Sequence, residues 1–312
     1  MNSENIKKIV IFSTIFLGIF LLINLLYLKT VVSGTIIYRI EDQFNNNKNT
    51  TKILFMGDSH SKFGLSPEMI DESFNYASMG EAYFQTYYKL KYLLENKIIN
   101  LQMVILPIDL HSFRTTDRSV YIDWSYWKKF INLRGILSYY GTGRFGEIIK
   151  AYFPVIGNGR LLLNYLVKKP QLTTLDRGQE IRLDDFSLVN DRVKTVADRI
   201  DYVFKDKQIF DSFSAEYFQK IIDLTDKYKI KLVLIKFPVV KDYYYGTHKY
   251  IENFNNYYSD INRLIGHRNN LEILDYHDLF FNDLSYFGDT DHLNKKGADY
   301  LTNKIKKDLK IQ

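Results

Sequence analysis

Two short clusters, far apart in the chain, hold the residue types that serine chemistry needs. Gly57-Asp58-Ser59-His60 follows the apolar run Ile53-Leu54-Phe55-Met56, and Asp289-Thr290-Asp291-His292 precedes the last helical segment. A serine hydroxyl is a weak nucleophile at neutral pH until an adjacent base takes its proton. His292 is the candidate base, and a carboxylate must hold its tautomer and stabilise the imidazolium. Asp289 lies three residues before His292 and can share one side of a turn with it, whereas the adjacent Asp291 diverges. Ser59 is expected at the C-terminal edge of a buried strand, where Gly57 lets the backbone turn sharply. In open α/β sheets that edge is where ligands bind.

Other readings of the same residues compete. Ser59 also fits a helix N-cap after a strand; the distal Asp-x-x-His favours the nucleophile. Asp58 reads as structural, bonding nearby backbone N–H groups. His60 is a possible substrate contact or a partly exposed loop residue. Asp289, Asp291 and His292 offer three metal-ligand types in four residues, yet no His-x-x-x-His or carboxylate pair completes a site. No metal and no cofactor are expected. Gly141-Thr142-Gly143-Arg144-Phe145-Gly146 matches G-x-G-x-x-G, but no strand precedes it, so it does not read as a dinucleotide site.

The elements that must position these groups alternate between strand and helix. Lys52–Gly57, Phe74–Ser78, Leu101–Ile108, Lys231–Pro238 and Leu271–Leu274 read as strands. Helical spacing of apolar residues marks 81–96, 214–228 and a final helix after Asn294. Regularity is lost over about 112–210, a segment holding Trp124 and Trp127 that reads as an aromatic-rich helical insertion. The alternation implies α/β architecture with a mainly parallel sheet covered on both faces. Lys236 falls in a strand that should be buried, so an edge or a pocket-facing position is expected. Trp124/Trp127 and Tyr243-Tyr244-Tyr245 could stack on sugar rings or simply pad an interface.

The chain has 312 residues, no cysteine and a formal charge of +6 spread along its length. Cysteine nucleophiles, thiolate metal sites and disulfides are therefore excluded, and no basic block marks a nucleic-acid partner. Ile9 to Leu28 runs without a charge, about 20 residues and enough to cross a ~30 Å hydrocarbon core. Lys7 and Lys8 before it predict a cytoplasmic N-terminus (residues 1–8), an anchor (9–28), a linker (29–50) and an extracytoplasmic domain (51–312). A cleaved signal peptide is the rival reading, but this apolar run is longer than most.

Ser59 after the first strand and Asp289-x-x-His292 near the C-terminus resemble the SGNH (GDSL-type) hydrolase family. The resemblance spans 51–312 and implies a three-layer flavodoxin-like sandwich and acyl-ester chemistry. It casts Ser59 as nucleophile, His292 as base and Asp289 as orienting acid, with the backbone N–H groups of Ser59 and Gly80 in the oxyanion hole. The family commonly carries an Asn after its third strand whose side chain donates to the oxyanion; here Asp109 stands in that place. A carboxylate does not donate unless protonated, so another group completes the hole, Asp109 has a different role (substrate binding being one), or catalysis is weakened. The anchor and the missing Asn resemble the membrane-anchored branch that includes DltD-like and alginate-acetylation proteins. That branch implies an acylated envelope glycan as substrate and a multi-span membrane O-acyltransferase as partner. A non-catalytic subunit that keeps the fold to bind glycan or an acyltransferase is the alternative.

Overall fold

The structure is a computed structural model and describes residues 3–96, 99–115, 124–140, 145–157, 163, 165 and 175–311. It divides into two compact units, residues 1–39 with 118–172 and residues 40–117 with 173–312.

In the larger unit, five strands form one sheet: β1 (Ile53–Phe55), β2 (Ser73–Asn75), β3 (Met103–Pro107), β4 (Lys231–Lys236) and β5 (Leu271–Asp275). Their order is β2-β1-β3-β4-β5 and every neighbouring pair is parallel. This is a doubly wound order whose switch point lies between β1 and β3, the crevice where such sheets place ligands. Leu54, Phe55, Val104, Ile105, Leu106 and Leu232 to Ile235 are wholly buried. Continuous apolar runs of this kind mark strands covered on both faces, and burying each such side chain contributes about 1.5–3 kcal/mol.

The smaller unit begins with α1 (Ser3–Tyr27), which continues as a π-helical turn over Leu28–Val32. Together they make a helix long and apolar enough to cross a membrane, a property that anchors and signal sequences share. The stretch expected as linker is instead helical over α2 (Ile36–Asn47), where Ile40 and Phe44 are buried at helical spacing. The larger unit then adds α3 (Ser59–Gly64) directly after β1 and α4 (Tyr83–Glu95) after β2.

The expected insertion is shared between the units. Its first part forms α5 (Trp124–Trp127), α6 (Leu133–Tyr140), α7 (Phe145–Tyr152) and α8 (Pro154–Gly157) in the unit with α1. Its second part, from residue 173, belongs to the sheet unit and includes α9 (Arg192–Phe204). There follow α10 (Ser212–Lys227), α11 (Lys241–Gly246), α12 (Phe254–Ile265) and α13 (Lys295–Asp308). α10 packs on α4, and α13 packs on α3. Residues 141–144 of the glycine-rich match lie outside the described residues; Phe145 and Gly146 open α7.

Candidate active site

The turn that presents Ser59 is dictated by Gly57. Its φ of +100° is one that residues with a side chain rarely adopt, and a Cβ there would stand 2.6 Å from Pro107 Cδ. Asp58 then caps α3 by accepting the His60 backbone N–H at 2.9 Å, so Ser59 is the first helical residue rather than the cap.

A tight loop presents the other half. Gly288 N–H donates to His292 C=O at 2.9 Å, and Phe287 pairs antiparallel with Leu293. Within the loop, Asp289 Oδ1 accepts the backbone N–H groups of Asp291 and His292 at 3.1 and 2.9 Å. Asn294 caps α13 through Gly297 N–H, while its own amide donates to Asp184, Ser285 and Phe287 carbonyls. The loop is therefore fixed at both ends before any substrate arrives.

The two halves meet. His292 Nε2 lies 2.8 Å from Ser59 Oγ, and both carboxylate oxygens of Asp289 lie 2.9 Å from His292 Nδ1. Asp291 is farther from that nitrogen, at 3.6 Å, and is engaged by Arg199, whose Nε and Nη2 bond its two oxygens. Arg182 Nη1 donates to Asp289 Oδ2 at 2.6 Å. Burial raises the Asp289 pKa, but the bond and attraction to His292 outweigh it and hold the carboxyl below its usual value. Asp291 is wholly buried and is held well below the usual carboxylate range, because His292, His60 and Arg199 overcome its desolvation.

The other half of the oxyanion expectation is open. Among the described residues, neither the Ser59 nor the Gly80 backbone N–H has an acceptor. Gly80 has φ +66°, and its loop is tied to the Ser59 turn by Ser78 N–H donating to Gly57 C=O at 3.0 Å. Asn75, buried at the end of β2, donates to the carbonyls of Ser61 and Leu65 and accepts from Ala77 N–H, clamping the same loop to α3.

Asp109 faces inward. Its Oδ1 accepts the Phe237 N–H at 2.7 Å, joining the ends of β3 and β4, and its Oδ2 stands 2.8 Å from His60 Nδ1. His60 is 2% exposed, so it is not a loop residue facing solvent. Desolvation alone would lower its pKa, but Asp109, Asp291 and Asp58 together raise it well above the usual value, making it an imidazolium among carboxylates. His111 adds a further contact, with Nε2 2.8 Å from Asp58 Oδ2 and its ring 4.4 Å from that of His60. Its own pKa is lowered by burial and by the His60 charge, against the pull of Asp58. In turn Asp58, although partly buried, is held far below its usual value by His111 and His60.

His60 with Asp291 and His292, and His60 with Asp109 and His111, each bring three possible metal donors within 4.8 Å of one another. Most of those groups already have partners: Ser59 for His292, Arg199 for Asp291, Asp58 for His111. Of the aromatic candidates, Tyr243 is buried, Tyr244 stacks on His277 at 4.5 Å and Tyr245 is exposed. Lys236 closes β4 and pairs with Asp275 on the neighbouring strand at 2.8 Å.

Sequence reasoning missed Arg182 and Arg199, and the His60–Asp109 and Asp58–His111 pairs. His111 had a signal, since it follows a parallel strand at the ligand-binding edge of the sheet. The arginines had none, because 107 residues separate Arg182 from Asp289 and 92 separate Arg199 from Asp291, with no spacing to link them.

No family model and no curated protein matches the chain. A solved structure from Streptococcus pneumonia, whose name refers to platelet activating factor, matches at 15% identity and a TM-score of 0.39, covering 94% of this chain and 98% of that one.

Proposed function

We propose that this chain is a membrane-anchored serine acyl-esterase or O-acyltransferase acting on acyl groups, acetyl above all, of an envelope polysaccharide. The observation that carries the chemistry is the unbroken relay from Ser59 Oγ through His292 to Asp289 at the sheet's ligand-binding edge. His292 takes the Ser59 proton as Oγ attacks the acyl carbonyl, and Asp289 keeps the imidazole oriented and its new charge balanced. The free N–H groups of Ser59 and Gly80 suit the oxygen that becomes negative. His292 then protonates the departing alcohol, leaving an acyl-Ser59. Water or a sugar hydroxyl, deprotonated by His292, completes hydrolysis or transfer.

The apolar α1 with Lys7 and Lys8 before it supports an anchor whose N-terminus is cytoplasmic. A glycan substrate and a multi-span O-acyltransferase partner rest on the sequence resemblance. A second reading, a non-catalytic subunit, has one observation in its favour: the expected Asn donor is replaced by Asp109, which is turned to His60 and Phe237. Turnover of a chromogenic acetyl ester by the full chain in detergent separates them. Activity lost in Ser59→Ala and His292→Ala supports the enzyme. No turnover, and no acyl-Ser59 trapped by mass spectrometry, favours the subunit.

A further inference from the structure

We propose that α7 and α8 form an interfacial membrane element, seated against α1 with their apolar residues in the acyl chains of the outer leaflet. This rests on the reading of α1 as a membrane span. Three contacts fix the placement. The Phe20 and Phe153 rings lie 5.4 Å apart, Asn24 Nδ2 donates to the Tyr152 carbonyl at 3.3 Å, and Val155 packs on Tyr27, Val31 and Val32.

Those contacts define a depth. Asn24 and Phe20 lie four and eight residues inside Leu28, the outer end of the apolar run, or about 6 and 12 Å at 1.5 Å per residue. In a hydrocarbon core of ~30 Å both positions fall within the outer half. A segment that touches both shares that depth, which is where amphipathic interfacial helices sit.

The chemistry of the segment agrees. Ile149, Tyr152 and Ile156 are 45%, 46% and 57% exposed, an apolar surface that water penalises and acyl chains do not. The Asn24–Tyr152 bond satisfies two groups at once. An amide within hydrocarbon needs a partner, and the carbonyl at the end of α7 has none within its helix. Lys128 donates to the Ala151 carbonyl at 3.0 Å and lies over the Tyr152 ring, which gives a second carbonyl near the end of α7 a partner. Beyond the apolar run, Tyr38 meets α5: its hydroxyl is 3.2 Å from Ser125 Oγ and its ring lies edge-on to Tyr126. A pair of tyrosines at that level suits a membrane–water boundary.

Because the chain has no cysteine, single labels can be placed at will. Full-length Ile149→Cys, Ile156→Cys, Phe16→Cys and Lys227→Cys, each retaining ester turnover, would carry a nitroxide in phosphatidylcholine–phosphatidylglycerol vesicles. Collisions with oxygen report lipid and collisions with a nickel chelate report water. The ratio of oxygen to nickel access at 149 and 156 should exceed that at 227 by about tenfold, because a polar chelate is excluded from hydrocarbon and oxygen is not. Watery ratios at 149 and 156 with a lipid ratio at 16 would overturn the proposal and leave the anchor standing. A watery label at 16 would instead remove the anchor reading itself. Protection of 149 and 156 from both reagents would mean that protein, such as a second copy, covers this face, and would also overturn it.

Discussion

Replacing Asp109 by Asn, the residue the family resemblance leads one to expect, should harm the protein, and harm it more in acid than in base. The Asp109 carboxylate accepts the Phe237 N–H at 2.7 Å and stands 2.8 Å from His60 Nδ1, with both side chains buried. An Asn keeps an acceptor for Phe237 but removes the nearest negative charge from a buried imidazolium. Breaking a buried pair in this way costs about 3–5 kcal/mol. The pH dependence has a definite sign. His60 has a raised pKa in the fold, so the stability it contributes is fully present below its unfolded value of about 6.5 and is lost as pH rises through the folded one. Each unit by which Asp109→Asn lowers the folded value removes about 1.4 kcal/mol from the low-pH side. Urea unfolding of the full chain in detergent between pH 5 and 9 should show a deficit of roughly 3 kcal/mol or more at pH 5, shrinking towards pH 9. A deficit that is flat with pH, or that grows as pH rises, would refute the assignment of Asp109 as the counter-charge of His60.

Asp289→Asn should reduce ester turnover by about 10³–10⁴-fold, because an amide can hold His292 in the wrong tautomer. Steady-state kinetics would show the loss in kcat, and a loss below tenfold would pass the orienting role to Asp291. Arg182→Ala removes a partly exposed partner of Asp289 and should cost only about 1 kcal/mol, roughly fivefold in kcat, with KM nearly unchanged. Gly57→Ala meets both a positive φ and Pro107 at 2.6 Å, whereas Gly80→Ala meets a positive φ with open space around its Cβ. Thermal melts should therefore show about 2–4 kcal/mol lost for the first and about 1–2 for the second; equal losses would contradict the packed turn.

The parts of this fold that could be read from the sequence are those set by local patterning. Ile53–Phe55 and Leu232–Ile235 are apolar throughout because both sheet faces are covered, and such runs stand out in any chain. Ser59 and His292 could be paired because each sits where an element ends, one after a strand and one before a helix. Ile36–Asn47 was hidden by its run of asparagines, although Ile36, Ile40 and Phe44 already carried the helical period. The Arg182–Asp289 and Arg199–Asp291 pairs are contacts between distant segments, fixed by the packing of the whole chain and by no local spacing. The fate of Asp109 was equally illegible. Its chemical type ruled out one role, and only the positions of His60 and Phe237 supply another.

Serine chemistry in this protein depends on the approach of His292 Nε2 to Ser59 Oγ, and covalent trapping addresses that approach most directly. The full chain would be treated with a fluorophosphonate, digested, and the adduct located by mass spectrometry, with the labelling rate compared in His292→Ala. A single phosphonylated residue at Ser59, formed at least a hundredfold more slowly without the imidazole, is the predicted result. An adduct elsewhere, or at Ser59 with an unchanged rate in His292→Ala, would contradict it.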